Sequence, residues 1–483
     1  METSRLIKII SGPFAGAICY VLLLLNNVDH KIASAAMVTV WMAVWWVTEP
    51  HDLGITSLVP FIMFPLLGIM DAAKVASQYM EQTIFLFIGG FFIAYAMEKH
   101  NLHQRVAYKI IVTTGGTPAR ILAGIMITTY FISMWISNTA TTMMLFAAVI
   151  SIVKHDHIFH EQLKSRIATV YLIALAYSSS IGGMATLVGT PTNMVLAGMY
   201  EKLIPGAAPI SFYEWSGFAF PFSLAFLILG FIILRILFIP QKLNLPFEIS
   251  YIKKDLEQLG KFSPDEKKIV ILFTTTVILW FTRVDIDAGF FKISGWSNYL
   301  PNGVMIKDST IAAASALVLF LIPSKHKPTE MILEWDDIKK LPLNIILLFG
   351  SGFALAEGFT SSGLANLLSK ELIFLSGLPM WAIVGGIAVI ITVLSEFASN
   401  VASIQLILPV LLPLCLTLNI EPKLLMIPAT IAASFGFMLP VATAPNTIVY
   451  GTGYIPVKSL LRAGLVFNLT GILLLTIFAY FFY

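Results

Sequence analysis

Residues 134–144 read MWISNTATTMM, with three hydrogen-bonding side chains, Ser137, Asn138 and Thr139, set between strongly apolar ones. A lone Ser-Asn-Thr is most often a plain helix cap, because its oxygens accept from the free amides of a first turn. A second copy changes that reading. Ser399, Asn400 and Val401 follow at an offset of 399 − 137 = 262 residues, about half of the 483-residue chain. The segment ahead repeats at the same offset, FLFIGGFFIAYAMEKHNL from Phe85 matching LLFGSGFALAEGFTSSGL from Leu347 in its Leu/Phe/Gly framework. Behind it, SIGGMATLVGTP from Ser180 lines up with SFGFMLPVATAP from Ser434 at an offset of 434 − 180 = 254. Each copy ends in an asparagine, Asn193 or Asn446, one residue out of step.

The surroundings of these motifs are those of a membrane protein. Hydrophobic residues make up 57% of the chain, charged ones only 12%, and the mean hydropathy is +0.85. Apolar segments long enough to cross ~30 Å of hydrocarbon recur from end to end. Eleven spans are expected, at 13–27, 33–48, 53–71, 83–98, 168–200, 214–237, 268–283, 309–322, 343–358, 423–450 and 462–482. The polar stretches 239–267 and 323–341 read as loops with short helical patterns at most. The N-terminal segment runs on into a second span and has no convincing cleavage site, so it is not read as a removable signal. Cys19 and Cys415 both lie in apolar runs and imply neither a disulfide framework nor a metal cluster. A net charge of +3 points to no nucleic-acid partner.

Two regions, 117–153 and 378–415, each hold two half-length apolar stretches around a polar tip, and are read as re-entrant helical hairpins. With the N-terminus cytoplasmic and both hairpins leaving on the side they enter, the 30 Lys and Arg sort as 22 cytoplasmic and 8 external. That imbalance follows the positive-inside rule and places the C-terminus outside. Five spans separate the hairpins, so one tip enters from each face. The expected fold is an all-α polytopic membrane protein of two inverted repeats, with its site at the midplane. The first repeat divides into leading spans 1–110 and a hairpin-bearing part 111–238, the second into leading spans 239–377 and a hairpin-bearing part 378–483.

The breaks GTPTN (Gly189–Asn193) and ATAPN (Ala442–Asn446) fall inside the spans 168–200 and 423–450. Pro191 and Pro445 each remove an amide donor and clash with a helical turn. Non-helical backbone at this depth is tolerated only where protein or a water-filled cavity covers it. Two tips and two breaks therefore converge on one place, which exposes helix starts to an anion and carbonyls to a cation. None of the 30 Lys and Arg residues falls within these four motifs. An anion bound there must be balanced by helix dipoles, amides and co-bound cations. Glu396, three residues before Ser399, is either a structural group at the hairpin base or an ion-carrying one. Glu98, Lys99 and His100 read as an interfacial belt, and Arg283, Asp285 and Asp287 as surface charge at an external span end.

The segment ASFGFMLPVATAPNTIV, Ala433 to Val449, resembles the signature of the divalent anion/sodium symporters, which carry di- and tricarboxylates or sulfate. Small residue, Ser, Phe, Pro-Val-Ala and Asn-x-Ile-Val stand at that family's spacing. The paired SNT-type tips, the hairpins and the chain length match as well, so the resemblance covers nearly the whole sequence. It implies a homodimer in the cell membrane that works as an elevator, moving C4-type dicarboxylates, and tricarboxylates among its wider substrates, together with Na+. It places substrate at Asn138, Thr139, Asn400, Val401, Thr443 and Pro445. It places one sodium near Ser133, Ser137, Asn138 and Gly189, and a second near Ser395, Ala398, Asn400 and Ala442. Thr190, Pro191, Asn193 and Asn446 would support the breaks. Val401 departs from a strict second SNT, so that side of the site has one hydroxyl contact fewer.

A membrane hydrolase would need a nucleophile with a base, yet all eight histidines (30, 51, 100, 103, 155, 157, 160 and 326) read as loop or span-end residues. The chain is not expected to be an enzyme. A sodium-independent dicarboxylate exchanger, and a carrier of sulfate or another oxyanion on the same fold, stay open. Two SN tips facing each other suit a molecule with a carboxylate at each end better than a compact tetrahedral oxyanion.

Overall fold

The computed structural model describes residues 2–114, 116–154, 161–204, 206–240, 250–287, 292–325, 329–371, 375 and 377–482. Among the described residues, nine helices are long and apolar enough to cross a bilayer, from Arg5–Leu25 to Val457–Phe481. Their starts follow local chemistry. Asp29, Asp71, Glu81 and Ser211 each accept a first-turn amide, and Ser263 forms a reciprocal capping box with Glu266. Gly363 and Asn419 end their helices in the left-handed region, at φ 85° and 53°.

Burial sorts the helices into a centre and a rim. The apolar window of Ser165–Met184 is completely buried, whereas only 11% of that of Arg5–Leu25 is. Rings of Phe226, Phe435, Phe437 and Phe467 pack together beside Tyr177 on the central helix. The Tyr177 hydroxyl lies 2.6 Å from the Phe437 carbonyl and 3.3 Å from that of Leu460, tying the first broken span to the second. Large apolar side chains such as Leu6, Phe14, Ile18, Ile232 and Leu473 stand exposed on the outer face, as lipid contact requires.

Both hairpin regions are helix pairs. Pro118–Ser133 and Asn138–Lys154 meet at a four-residue tip, and Met380–Phe397 and Asn400–Leu418 at a two-residue one. At 1.5 Å per residue, the first pair reaches only about 25 Å. The second pair, 18 and 19 residues long, is long enough to span, so length marks only the first as re-entrant. Both expected breaks are present. Glu161–Met184 gives way to Pro191–Leu203, and Lys423–Ala432 to Ala444–Tyr450.

Four details differ from the sequence reading. Region 53–71 is two short helices, Leu53–Thr56 and Val59–Leu66, rather than one span. Leu102–Thr114 is a further helix and buries His103, which reads from sequence as a loop residue. A two-residue antiparallel ladder, Ile286–Asp287 with Lys292–Ile293, interrupts the all-α pattern. Arg283 is not surface charge: it is 6% exposed, its Nε lies 2.5 Å from Asp308 Oδ1, and its Nη1 donates to the Ile306 carbonyl. His155, His157, His160 and His326 lie outside the described residues.

Candidate functional site

The four polar motifs line one open cavity of about 760 Å³. From the first hairpin it takes Ser137, Asn138 and Thr139, and from the second Ala398, Ser399, Asn400 and Val401. The breaks add Thr190 and Pro191 on one side and Ala442, Thr443 and Pro445 on the other. Residues more than 250 positions apart thus share one wall, as the sequence pairing requires. Helices of 17, 19 and 13 residues, beginning at Asn138, Asn400 and Pro191, start at the cavity, with the short helix Ala444–Tyr450 beside them. Their first-turn amides are free of intrahelical partners, and the positive dipole ends favour an anion between them.

Thr190 and Thr443 precede these half-helices in extended conformation, φ −143° and −139°. Pro191 takes the first helical position after Thr190 and Pro445 the second after Thr443, and in either place a missing N–H leaves nothing orphaned. Asn193 and Asn446 do not line the cavity. Asn193 Nδ2 donates to the carbonyls of Gly183 and Thr186, at 2.9 and 2.7 Å. Asn446 Nδ2 donates to those of Gly436 and Leu439, both at 3.0 Å. The Thr186 and Leu439 carbonyls also accept the amides of Gly189 and Ala442, so what each asparagine alone satisfies is the glycine carbonyl. All three members of the two sets differ by 253 residues (446 − 193, 436 − 183, 439 − 186), so the asparagines are in step. The shift from 254 at Ser180 and Ser434 to 253 falls between those serines and the glycines.

Behind each tip lies a cluster of oxygens. Ser133 Oγ is 2.8 Å from Asn138 Oδ1 and 2.7 Å from the Ser179 carbonyl. Ser395 Oγ is 2.6 Å from Asn400 Oδ1 and 2.5 Å from the Ala433 carbonyl. One hydroxyl proton cannot serve two acceptors, so each cluster has more lone pairs than protons. A hard cation with oxygen ligands fits that excess. Both serines are fully buried, whereas the asparagines between cluster and cavity are partly exposed. Gly189 faces a neighbouring smaller cavity, which it shares with Ser137, Pro191 and Glu98. Gly183 permits the first cluster to close, since a Cβ there would lie 2.3 Å from Asn138 Oδ1.

Glu396 belongs to the scaffolding of the second break. It is 4% exposed and accepts from the amides of Met438 (2.8 Å) and Leu439 (2.9 Å) and from Asn468 Nδ2 (2.7 Å). Lys99 pairs with Asp337 at 2.8 Å, and Glu98 lines the smaller cavity. Sequence reasoning missed several walls of the main cavity: Phe87 and Phe91, Thr48 and Glu49, Asn344, and Lys8 from the first helix. Phe87 and Phe91 lie within the repeated Leu/Phe/Gly framework, which was the available signal; Lys8 has no local signature.

Comparison with known proteins gives the same placement. A family model described as "Sodium:sulfate symporter transmembrane region" matches residues 6–483. The "Sodium-dependent dicarboxylate transporter SdcS" of Staphylococcus saprophyticus is 37% identical over 487 residues, which cover 99% of this chain and 92% of that one. The "Na(+)/dicarboxylate cotransporter 3" of Mus musculus is 34% identical over 555 residues, covering 98% and 91%. Among solved structures, Neisseria gonorrhoeae MtrF, from a class of antimetabolite efflux pumps, has a TM-score of 0.59 at 12% identity, covering 84% of this chain and 82% of that one. The Alcanivorax borkumensis YdaH transporter has a TM-score of 0.56 at 13% identity, covering 93% and 98%. Those two likenesses concern the fold alone. The match over residues 6–483 and the full-length relatives make this chain a multi-pass membrane transporter that belongs to the sodium:sulfate symporter family.

Proposed function

We propose that this chain is a sodium-coupled symporter of C4-type dicarboxylates. The observation that supports this reading most is the cavity in which two SN tips and two proline breaks meet, with an oxygen cluster behind each tip. Full-length relatives named as sodium-dependent dicarboxylate transporters favour the same cargo. The substrate carboxylates would lie between Asn138, Thr139, Asn400, Val401, Thr443 and Pro445. One sodium would occupy the first cluster, near Ser133, Ser137, Asn138 and Gly189. The second would sit near Ser395, Ala398, Asn400 and Ala442. Asn138 and Asn400 each give an oxygen to a cluster and face the cavity, so a bound cation would orient the amide that meets the substrate. Sodium thereby lowers the cost of bringing a dianion into a low dielectric.

The same reading takes the halves as inverted repeats in a homodimer. Residues 111–238 and 378–483 form the moving part of an elevator, against scaffold spans 1–110 and 239–377. With the N-terminus cytoplasmic, the cavity opens to the cytoplasm, because its rim comes from Lys8, Glu49 and Asn344.

The test is uptake of radiolabelled succinate into proteoliposomes under an inward sodium gradient, then with potassium in its place. The vesicles hold either buffer or unlabelled succinate. Sodium-driven accumulation in empty vesicles is expected. Uptake that ignores sodium and needs internal succinate would make the protein an exchanger, and no uptake at all would move the cargo to sulfate or another oxyanion.

A further inference from the structure

We infer that Lys8 is a specificity-determining residue of the transport site, a fixed cation at the cavity mouth that draws a dianion toward the helix starts. The inference rests on the dicarboxylate reading above. Among the described residues that line the cavity, Lys8 is the one cation and Glu49 the one anion, and both are exposed. Neither forms an ion pair with a described residue, so the charge of Lys8 remains available to a ligand.

The position of Lys8 is held by packing. Helix Glu2–Leu25 lies so close to His30–Thr48 that a Cβ at Gly12 would fall 2.3 Å from Trp45 Cδ1, and one at Gly16 would fall 2.7 Å from the Met37 carbonyl. Trp45 Nε1 donates to the Ile9 carbonyl at 3.0 Å, and Arg5 Nη2 lies 3.2 Å from His51 Nδ1. These contacts keep the Lys8 turn beside Thr48 and Glu49 at the rim.

The inner motifs hold no Lys or Arg, so their attraction for an anion comes from dipoles, which weaken steeply beyond the first turn. A full charge reaches further and acts on an anion that has not yet docked. Lys8 therefore supplies a long-range pull that the neutral motifs lack. Being monopolar, that pull acts twice as strongly on a dianion as on a monoanion of the same shape. Glu49, on the same rim, opposes it. Because Lys8 stands on a scaffold helix, it assists the site only while the site faces its side.

The test is equilibrium binding of radiolabelled succinate to the purified full chain at fixed sodium, by scintillation proximity, at low ionic strength and again with added choline chloride. Lys8→Gln is expected to weaken binding about two- to fivefold at low ionic strength, with the gap closing as salt is added. Lys8→Arg should restore it, and Glu49→Gln should shift affinity the other way. Equal affinity and equal salt dependence in wild type, Lys8→Gln and Glu49→Gln would overturn the inference and leave the transport reading intact. A salt-independent loss in Lys8→Gln that Lys8→Arg does not restore would also overturn it, as a packing effect. If the wild type binds sulfate and not succinate in sodium, the dicarboxylate reading fails, and this inference with it.

Discussion

Position 134 in the first hairpin is methionine, and its counterpart in the second, 134 + 262 = 396, is glutamate. Near Met134 the broken segment is held by a neutral group: Thr186 Oγ1 donates to the Met134 carbonyl at 2.5 Å. Near Glu396 the matching segment is held by a carboxylate that takes two backbone amides and the Asn468 amide. The tips ahead of them are alike, with Ser133 and Ser395 bridging an asparagine oxygen and a carbonyl in the same way. The comparison teaches that the cavity-facing geometry and its asparagine braces are duplicated, while the additional hold on each break is not. One half relies on a hydroxyl, the other on a buried charge with three donors.

The largest effect should come from breaking what the halves share. Asn138→Ala and Asn400→Ala are each expected to abolish sodium-driven succinate uptake in proteoliposomes while the purified protein keeps its elution profile; normal uptake by either variant would remove it from the site. The next effect separates the halves. Glu396→Ala strands two buried amides and a side-chain donor, and should cost about 3 kcal/mol or more in thermal unfolding in detergent. Thr186→Val removes one neutral bond and should cost about 1 kcal/mol. Equal losses would mean that the two breaks are held alike after all.

A middle-sized effect should again be shared. Asn193→Ala and Asn446→Ala each remove two buried bonds and leave one carbonyl, that of Gly183 or Gly436, without a partner, and both should cost about 2 kcal/mol in the same measurement. The smallest concerns the tips. Val401→Thr supplies the hydroxyl that Thr139 already gives the other side, and should change the preference among dicarboxylates about two- to threefold without altering sodium dependence. Competition by unlabelled malate, fumarate and citrate against labelled succinate reads this. An unchanged competition profile would put residue 401 outside the site.

Much of the site was legible because its signals are local. Ser-Asn-Thr beside apolar turns, and Thr-Pro or Ala-Pro inside a hydrophobic run, declare a cap and a break from neighbouring residues alone. Their repetition at half the chain length supplied the long-range pairing. What stayed hidden depends on tertiary contact. Arg283 looked exposed because its partner Asp308 is 25 residues away, across an irregular segment. Leu102–Thr114 mixes Arg105, Lys109 and polar residues with apolar ones and is too short and polar to read as a span, yet it is helical. Lys8 and Glu49 reach the cavity only through the packing of the first two helices.

Gly183 and Gly436 correspond to each other, but the room around them does not. A methyl group at 183 would strike Asn138 Oδ1 at 2.3 Å, whereas one at 436 would meet Ala442 Cβ and Thr443 Cγ2 at 3.1 Å, contacts that a shift of a few tenths of an ångström relieves. In a library of random variants selected for growth on a dicarboxylate, alanine should survive at 436 and be purged at 183. The two halves descend the same sequence pattern under unequal freedom to drift, and the first is the one pinned in place.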